Sequence, residues 1–444
     1  MKFKWKTKKR LFILSLDGVP YSFLQEGISA GRFSNIDHLG EMVEITSVFP
    51  PVSSVAWATF ATGVNPANHG IFGFIDRDPA TMIKRIPTSR DLVSPTIWQM
   101  LNDAGRRTIA MNVPLTYPPR EVNGIMISGF LCTKLEQGVQ PPSLLPRLKR
   151  LDYRIDPDPT LAAEDRAGYL DEILTTLRAR RRALFALLKE PWDLFMCHVM
   201  MTDRINHFFW ADGQEEDSAF NERFWQFYDE VDALVGEVNA ALSSNAELLV
   251  LSDHGFCRLH HEVNLNAALA EAGFLRFKDN GEGLSGVDPS SRAYSLLPGR
   301  IYVNLAGREK SGAVPETQYD RSREELAALF DELKDPQGNP VISKTVYREQ
   351  AYAGRLIDQA PDLLVLPHDG YDLKARSSPG PVFTPAERRS GMHTYDDAFA
   401  LLRGRRLRGG GSILDVTPVL FDLLGLPIPS HLEGDSLLSE GGGR

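Results

Sequence analysis

Apolar residues in this chain fall into short unbroken runs that alternate with stretches of helical spacing. The first run, Leu11-Phe12-Ile13-Leu14-Ser15-Leu16, stops at Asp17-Gly18. A short run without polar alternation predicts a strand buried on both faces. Further strands are predicted over Arg107–Val113, Gly124–Gly129, Asp193–Met200 and Leu248–Ser252. Ser34-Asn35 offers N-cap chemistry for a short helix, Ile36–Glu41. Ala56–Thr62 is apolar and follows Pro50-Pro51, so a helix begins near Ser53 or Ser54. Thr96–Ala104 reads as an amphipathic helix. Ala162–Lys189 places Leu170, Ile173, Leu174, Leu177, Leu184 and Leu187 on one side of a long helix. Phe220–Leu242 and Ile413–Leu424 complete the helical set, the last with Pro427 just past its end. This alternation predicts an α/β fold with a mainly parallel central sheet and helices on both faces.

The pattern changes between about Leu265 and Arg389. Asn280–Pro289 and Ser377–Pro385 are rich in Gly and Pro, and Arg300–Leu305 is an isolated strand candidate. We read an inserted lobe here. The chain is expected to return to the main sheet with Pro361–Pro367, whose centre is Asp362-Leu363-Leu364-Val365-Leu366. The expected organisation is a catalytic core over residues 1–264 and 360–435, a cap over 265–359, and a disordered tail over 436–444. Gly409–Gly411 reads as a connecting loop.

Bulk properties narrow the function. Hydrophobic content of 43% and charged content of 24% over 444 residues are ordinary for a globular chain. A net charge of −9 gives no global basic field, so no nucleic-acid polymer is expected as partner. Small anions held through bound cations stay open. The three cysteines, Cys132, Cys197 and Cys257, do not form a CxxC pair and suggest a reducing, cytoplasmic setting. The start, Met1–Arg10, is basic, but the apolar run behind it is too short for a signal segment or a membrane span.

Candidate chemistry collects at strand ends. Asp17 closes one apolar run, and Asp253-His254-Gly255 closes another. Open α/β sheets gather ligand groups at the carboxyl ends of their strands. Asp203 and His207 follow the strand Asp193–Met200 and lie four apart, so one helical turn puts carboxylate and imidazole on one face. His393 sits in Ser390-Gly391-Met392-His393-Thr394, read as a flexible loop. Ser53, at a helix start, meets free backbone N–H groups and the positive end of the helix dipole, a suitable place for a nucleophile attacking phosphorus. Each signal also has a plain structural reading, as an N-cap serine, a surface pair or a loop histidine. Neither a Gly-x-Ser-x-Gly elbow nor a Walker loop is present.

Taken in order, Leu16-Asp17-Gly18, Pro50-Pro51-Val52-Ser53 running to Thr62-Gly63-Val64-Asn65-Pro66-Ala67-Asn68-His69-Gly70-Ile71, Asp203-Arg204-Ile205-Asn206-His207, Ser252-Asp253-His254-Gly255 and Gly391-Met392-His393 resemble the alkaline phosphatase superfamily. Within it they resemble the type I phosphodiesterase/nucleotide pyrophosphatase family. The resemblance runs from Asp17 to the Ile413–Pro418 segment and Leu424-Gly425-Leu426-Pro427. It implies that Asp203, His207 and His393 hold one metal and Asp17, Asp253 and His254 another, with Ser53 between them as nucleophile. Counting back from Gly63 selects Ser53 rather than Ser54. His69 matches a family position and is read as structural. Phe72-Gly73-Phe74-Ile75 lacks the Asn that family members use on the phosphoryl group, so nucleotide specificity does not carry over.

The resemblance implies a hydrolase for small phosphate esters or pyrophosphates, using two divalent ions and a phospho-Ser53 intermediate. His and carboxylate ligands suit Zn2+, with Mn2+ the main rival. Such a pair clamps the attacking and leaving oxygens of an in-line displacement. The cap and the loops near Phe74 would choose the leaving group. Alternatives are a phosphomonoesterase, a phosphonate hydrolase, a phosphomutase, or a non-catalytic metal-binding protein of the same fold. A mutase usually needs a large insert, whereas only about 150 residues separate Ser53 from Asp203. Ser53-Ser54-Val55-Ala56-Trp57 does not fit a sulfatase nucleophile.

Overall fold

The computed structural model of the protein describes residues 8–158, 160–278 and 283–438. The basic segment Met1–Thr7 and residues 439–444 lie outside these residues, as does part of the Gly-rich stretch at Asn280–Pro289; of the tail expected to be disordered over 436–444, Leu437 is instead buried in the core, its carbonyl accepting the Arg408 N–H at 2.8 Å. The chain divides into two compact units. The first comprises Met1–Val64, Thr88–Phe256 and Thr394–Arg444, the second Asn65–Pro87 and Cys257–His393.

The first unit is built on a nine-stranded sheet. Its strands are β1 (Arg10–Leu16), β2 (Met42–Thr46), β3 (Thr108–Val113), β4 (Gly124–Ser128), β5 (Val139–Gln140), β6 (Leu194–Val199), β7 (Ala246–Leu251), β8 (Ala398–Leu402) and β9 (Gly411–Ser412). Their spatial order is β9-β2-β8-β7-β1-β6-β3-β4-β5. The central run β7-β1-β6-β3-β4 is parallel throughout. β8 runs antiparallel to β7 and β2, and β5 antiparallel to β4. The expected mainly parallel α/β sheet is the architecture observed.

Both faces of this sheet are covered, which is why its strands lack polar alternation. Phe12, Leu14 and Leu16 of β1 join Phe195, Cys197 and Val199 of β6 in one core, while Leu11, Ile13, Leu194 and Met196 point into the other. Helices α3 (Arg166–Leu187), α4 (Met201–Gln214) and α5 (Asn221–Ala241) cover the first face. Helices α1 (Ser53–Thr62), α2 (Ile97–Asp103) and α6 (Ile413–Leu424) cover the second. On α5, Phe224, Phe227, Val231, Leu234, Val235 and Val238 recur at three- and four-residue steps and are all buried. α1 is buried at all ten positions, so no amphipathic stripe marks it.

Several boundaries differ from the sequence reading. The helix expected over Ala162–Lys189 is interrupted at Asp165, whose carboxylate accepts the Gly168 N–H at 2.9 Å and caps α3. The short helix expected over Ile36–Glu41 is Ser34–Asp37. Gly411, expected in a loop, pairs with Ile45 and starts the edge strand β9. His393 lies in a strand, Gly391–Thr394, rather than a flexible loop.

The second unit has its own core around a four-stranded antiparallel sheet, in the order Ala293–Leu296, Arg300–Val303, Leu363–Pro367, Ile342–Tyr347. The strand at Leu363–Pro367, read as a return to the main sheet, therefore belongs here. Its apolar sequence encodes burial but not which neighbour buries it. Buried ion pairs fix this unit: Arg300 with Asp76 at 2.6 Å, Arg77 with Glu309 at 2.8 Å, and Arg308 with Asp362 at 2.6 Å.

Candidate active site and metal centre

Three adjacent parallel strands, β7, β1 and β6, deliver their carboxyl ends side by side. Asp17 follows β1, Asp253 and His254 follow β7, and Asp203 lies in the first turn of α4 just after β6. One side-chain oxygen or nitrogen from each of Asp17, Asp203 and His254 falls within 4.8 Å of the others, and all three residues are buried. Residues separated by more than 180 positions meet because β1 sits between β6 and β7.

Asp17 is the most heavily held of these groups. Its Oδ1 accepts the Ser53 hydroxyl at 3.1 Å. Its Oδ2 accepts the Trp57 indole N–H at 3.0 Å and lies 3.0 Å from His198 Nε2. The Thr202 hydroxyl donates to the Asp17 backbone carbonyl at 2.6 Å. Gly18 follows with φ +63°, and a Cβ there would lie 2.7 Å from the Phe256 ring and 2.9 Å from His254. Only glycine lets the chain turn away from Asp17 at this point.

Asp253 and His254 face the same place. Asp253 Oδ1 accepts the Gly18 N–H at 3.2 Å, while Oδ2 lies 3.5 Å from His254 Nε2 and has no hydrogen-bond partner among the described residues. Burial first, and then the charge of Asp17, push the Asp253 carboxyl well above the ordinary carboxylate range. His254 Nδ1 is 3.0 Å from the Gly255 carbonyl, a contact that needs the proton on Nδ1. Nε2 then presents a lone pair, 3.5 Å from Asp17 Oδ1 and 3.3 Å from Ser53 Oγ. Adjacent buried carboxylates, an orphaned carboxylate oxygen and an oriented imidazole lone pair fit a divalent cation.

Ser53 opens α1, so its hydroxyl stands at a helix N-terminus. Ser54 is equally buried, but its Oγ has no hydrogen-bond partner among the described residues. On α4, His207 Nε2 is 3.4 Å from Asp203 Oδ1, and its ring packs edge-on against Phe256. Arg204 holds the other Asp203 oxygen at 3.0 Å and grips Asp156 at 2.7 Å. His393 is the last residue of the second unit, one position before the chain re-enters the first.

Sequence reading did not single out the groups around Asp17. His198 sits mid-strand with Nδ1 3.0 Å from Ser15 Oγ, the residue opposite it in register. A titratable residue inside an otherwise apolar buried strand was the available signal, since such a group requires partners. Trp57 is fully buried core whose N–H donates to Asp17. Phe72 is likewise buried, against Tyr352. His69 is buried and neutral: burial holds its imidazole down at about 3, and its Nδ1 accepts the Ile71 N–H at 3.1 Å.

The fold is shared with known proteins. Phosphonoacetate hydrolase from Sinorhizobium meliloti 1021 shares the fold with a TM-score of 0.62 at 17% identity, covering 94% of this chain and 95% of that one. Murine ectonucleotide pyrophosphatase/phosphodiesterase 5 gives a TM-score of 0.57 at 17% identity, covering 96% and 98%. Its human counterpart gives 0.57 at 17%, covering 96% and 97%. No curated protein sequence matches the chain significantly. The family model for type I phosphodiesterase/nucleotide pyrophosphatase matches residues 11–396.

Proposed function

The chain belongs to the type I phosphodiesterase/nucleotide pyrophosphatase family of metal-dependent phosphoester hydrolases, and on that premise we propose that it cleaves phosphodiester or pyrophosphate bonds of small molecules, with Ser53 as nucleophile. The observation that carries this reading is Ser53 Oγ at the start of α1, 3.1 Å from Asp17 Oδ1 and 3.3 Å from His254 Nε2. Asp17, Asp253 and His254 would hold one divalent ion, and Asp203, His207 and His393 a second. Two ions, Zn2+ by ligand type with Mn2+ as rival, would supply Lewis-acid polarisation of the phosphoryl oxygens and charge to offset the serine alkoxide.

The chain's own groups do the rest. Asp17 orients the Ser53 hydroxyl, and Trp57 and Thr202 keep Asp17 in place. Free N–H groups at the start of α1 favour negative charge near Ser53. The Gly255 carbonyl keeps the His254 proton on Nδ1. Ser53 Oγ attacks phosphorus, the ester oxygen leaves, and water hydrolyses the phospho-Ser53 ester.

A diester is the better substrate on this reading. A monoester dianion brings an extra charged oxygen that requires a cationic partner in the transition state. The segment Pro51–Phe60 has no Arg or Lys. Arg204, the cation beside Asp203, is already committed to Asp203 and Asp156. The test compares kcat/KM for bis-p-nitrophenyl phosphate and p-nitrophenyl phosphate in one metal-loaded preparation, with a phosphonate in the same panel. Preference for the monoester would move the protein to a phosphatase or mutase reading.

A further inference from the structure

Helix α4 carries two rows of polar side chains, one position apart. Asp203 and His207 form the row assigned above to a metal. Thr202 and Asn206 form the other, again four residues apart and therefore on one face. Both are fully buried. The Thr202 hydroxyl donates to the Asp17 carbonyl at 2.6 Å, and Asn206 Nδ2–H donates to the next carbonyl, that of Gly18, at 2.9 Å. The helix thus grips the turn after β1 at two successive peptides.

The neighbours of Asn206 fix how its amide is turned. The Gly18 carbonyl can only accept, so the amide atom facing it is Nδ2, and Oδ1 faces the other way. There Tyr228 of α5 donates its hydroxyl to Oδ1 at 2.7 Å. Tyr228 is buried, and burial raises its phenol well above the ordinary range, so the hydroxyl keeps the proton it donates.

The turn held in this way places Asp253. The Asp17–Gly18 peptide accepts Thr202 at its carbonyl and donates its N–H to Asp253 Oδ1 at 3.2 Å. Hydrogen bonds at the two ends of one peptide reinforce each other. Asp253 Oδ1 is thereby occupied, and Oδ2 is the oxygen left to face a cation. Gly18 has φ +63° and, as glycine, the most backbone freedom to lose. Asn206 restrains it by holding its carbonyl. Asp203 and His207 need no such help, because a single helix sets their spacing.

We propose that Asn206, oriented by Tyr228, is a positioning residue: it locks the Asp17–Gly18 turn against α4 and so sets Asp17 and Asp253 for the ion that they would hold with His254, an inference that rests on the two-metal reading of the same site.

Co2+, a coloured substitute for Zn2+, tests it in the full-length protein. Bound ions are counted and visible absorption is followed against buffered free Co2+ for the wild type, Asn206→Ala and Val238→Ala. Val238 is buried near the C-terminal end of α5, so its truncation gives a destabilised control away from the turn. In Asn206→Ala one of the two ions is expected to bind about 10- to 100-fold more weakly, the usual loss when a ligand's supporting partner is removed. The absorption at saturating Co2+ should also shift. Val238→Ala should match the wild type in both readouts. Asn206→Ala that matches the wild type, or Val238→Ala that loses as much affinity, overturns the inference. Should Asn206→Ala not fold, Tyr228→Phe decides, since it keeps the ring and removes only the hydroxyl that orients the amide. One ion is then expected to bind about tenfold more weakly, and unchanged binding overturns the inference. A wild type that binds no Co2+ defeats the two-metal reading itself, whereas two ions held equally well by the wild type and the folded variants defeat only the role of Asn206.

Discussion

Ser53 and Ser54 are adjacent, equally buried and chemically identical, so replacing each by alanine separates their roles sharply. Ser53 Oγ lies 3.1 Å from Asp17 Oδ1, whereas Ser54 Oγ has no hydrogen-bond partner among the described residues. Removing the Ser53 hydroxyl takes a hydrogen bond from a buried carboxylate, a loss of about 1.5–3 kcal/mol where the acceptor is charged. Removing the Ser54 hydroxyl deletes a buried polar group that gains nothing in the fold. That change is expected to be neutral or to stabilise by about 1 kcal/mol. The activities should diverge further. Loss of a covalent nucleophile removes the step itself, so Ser53→Ala should fall by about 10⁴-fold or more in kcat, as for other serine nucleophiles. Ser54→Ala should stay within about tenfold of the wild type, since no contact of its Oγ reaches the reacting groups. The assay is turnover of bis-p-nitrophenyl phosphate beside urea unfolding of both variants, with metal content measured in parallel. Ser53→Ala should keep its metal. An active Ser53→Ala with an inactive Ser54→Ala would refute the nucleophile assignment and shift it by one residue.

Other outcomes follow from the same contacts. Elemental analysis after Zn2+ or Mn2+ loading should find about two ions per chain, the stoichiometry of a two-metal hydrolase, and Asp203→Ala or His254→Ala should lower metal content and activity together; a metal-free wild type would end the two-metal reading. His69 has a folded-state value of about 3, below the ordinary imidazole value, so its contribution to stability is complete above about pH 6.5 and drains away as pH falls toward 3. His69→Asn keeps an acceptor for the Ile71 N–H and should reduce the stability lost between pH 7 and pH 5 by about 2 kcal/mol in urea unfolding, and an unchanged loss would contradict a neutral buried His69. Gly18→Ala combines a positive φ with a 2.7 Å approach to Phe256, so a destabilisation of about 2 kcal/mol or more is expected, and an unchanged melting midpoint would count against that packing.

The fold was legible where burial leaves a local trace. Strands covered on both faces must be apolar throughout, and β1, β3, β4, β6 and β7 announce themselves as runs. α6 matches its predicted span, Ile413–Leu424, because a capping serine, a continuous apolar pattern and a C-terminal glycine agree. Failures came where the deciding partner is remote. Gly411 becomes part of a strand only because Ile45 is beside it, and Leu363–Pro367 is equally apolar whichever sheet receives it. The break at Asp165 was local and readable in principle, since aspartate at a helix start accepts backbone N–H groups, but the apolar spacing on either side masked it.

The candidate site divides along the same line. Asp17, Asp253, His254 and Asp203 stand out because each lies within a few residues of the end of an apolar strand, and a chain that buries such a residue must have a use for it. What sequence does not supply is the order β7-β1-β6, and that order does the assembling. With β1 between the other two, three neighbouring strand ends converge: the Asp17 carboxylate receives Ser53 and Trp57 from α1 and meets His198 from β6, while the Thr202 hydroxyl of α4 donates to the Asp17 backbone carbonyl. The same crowding sets a cost. Burial first, and then the neighbouring charge of Asp17, disfavour the charged form of Asp253 and raise its proton affinity. A proton or a divalent cation can resolve it, but only the cation uses the orphaned Asp253 oxygen and the His254 lone pair together. On the proposed two-metal reading, folding of this sheet edge and binding of metal would be coupled: lowering the pH should release metal by competition, and in the metal-free protein Asp253, whose proton affinity the fold raises, should make the first unit lose stability as the pH rises.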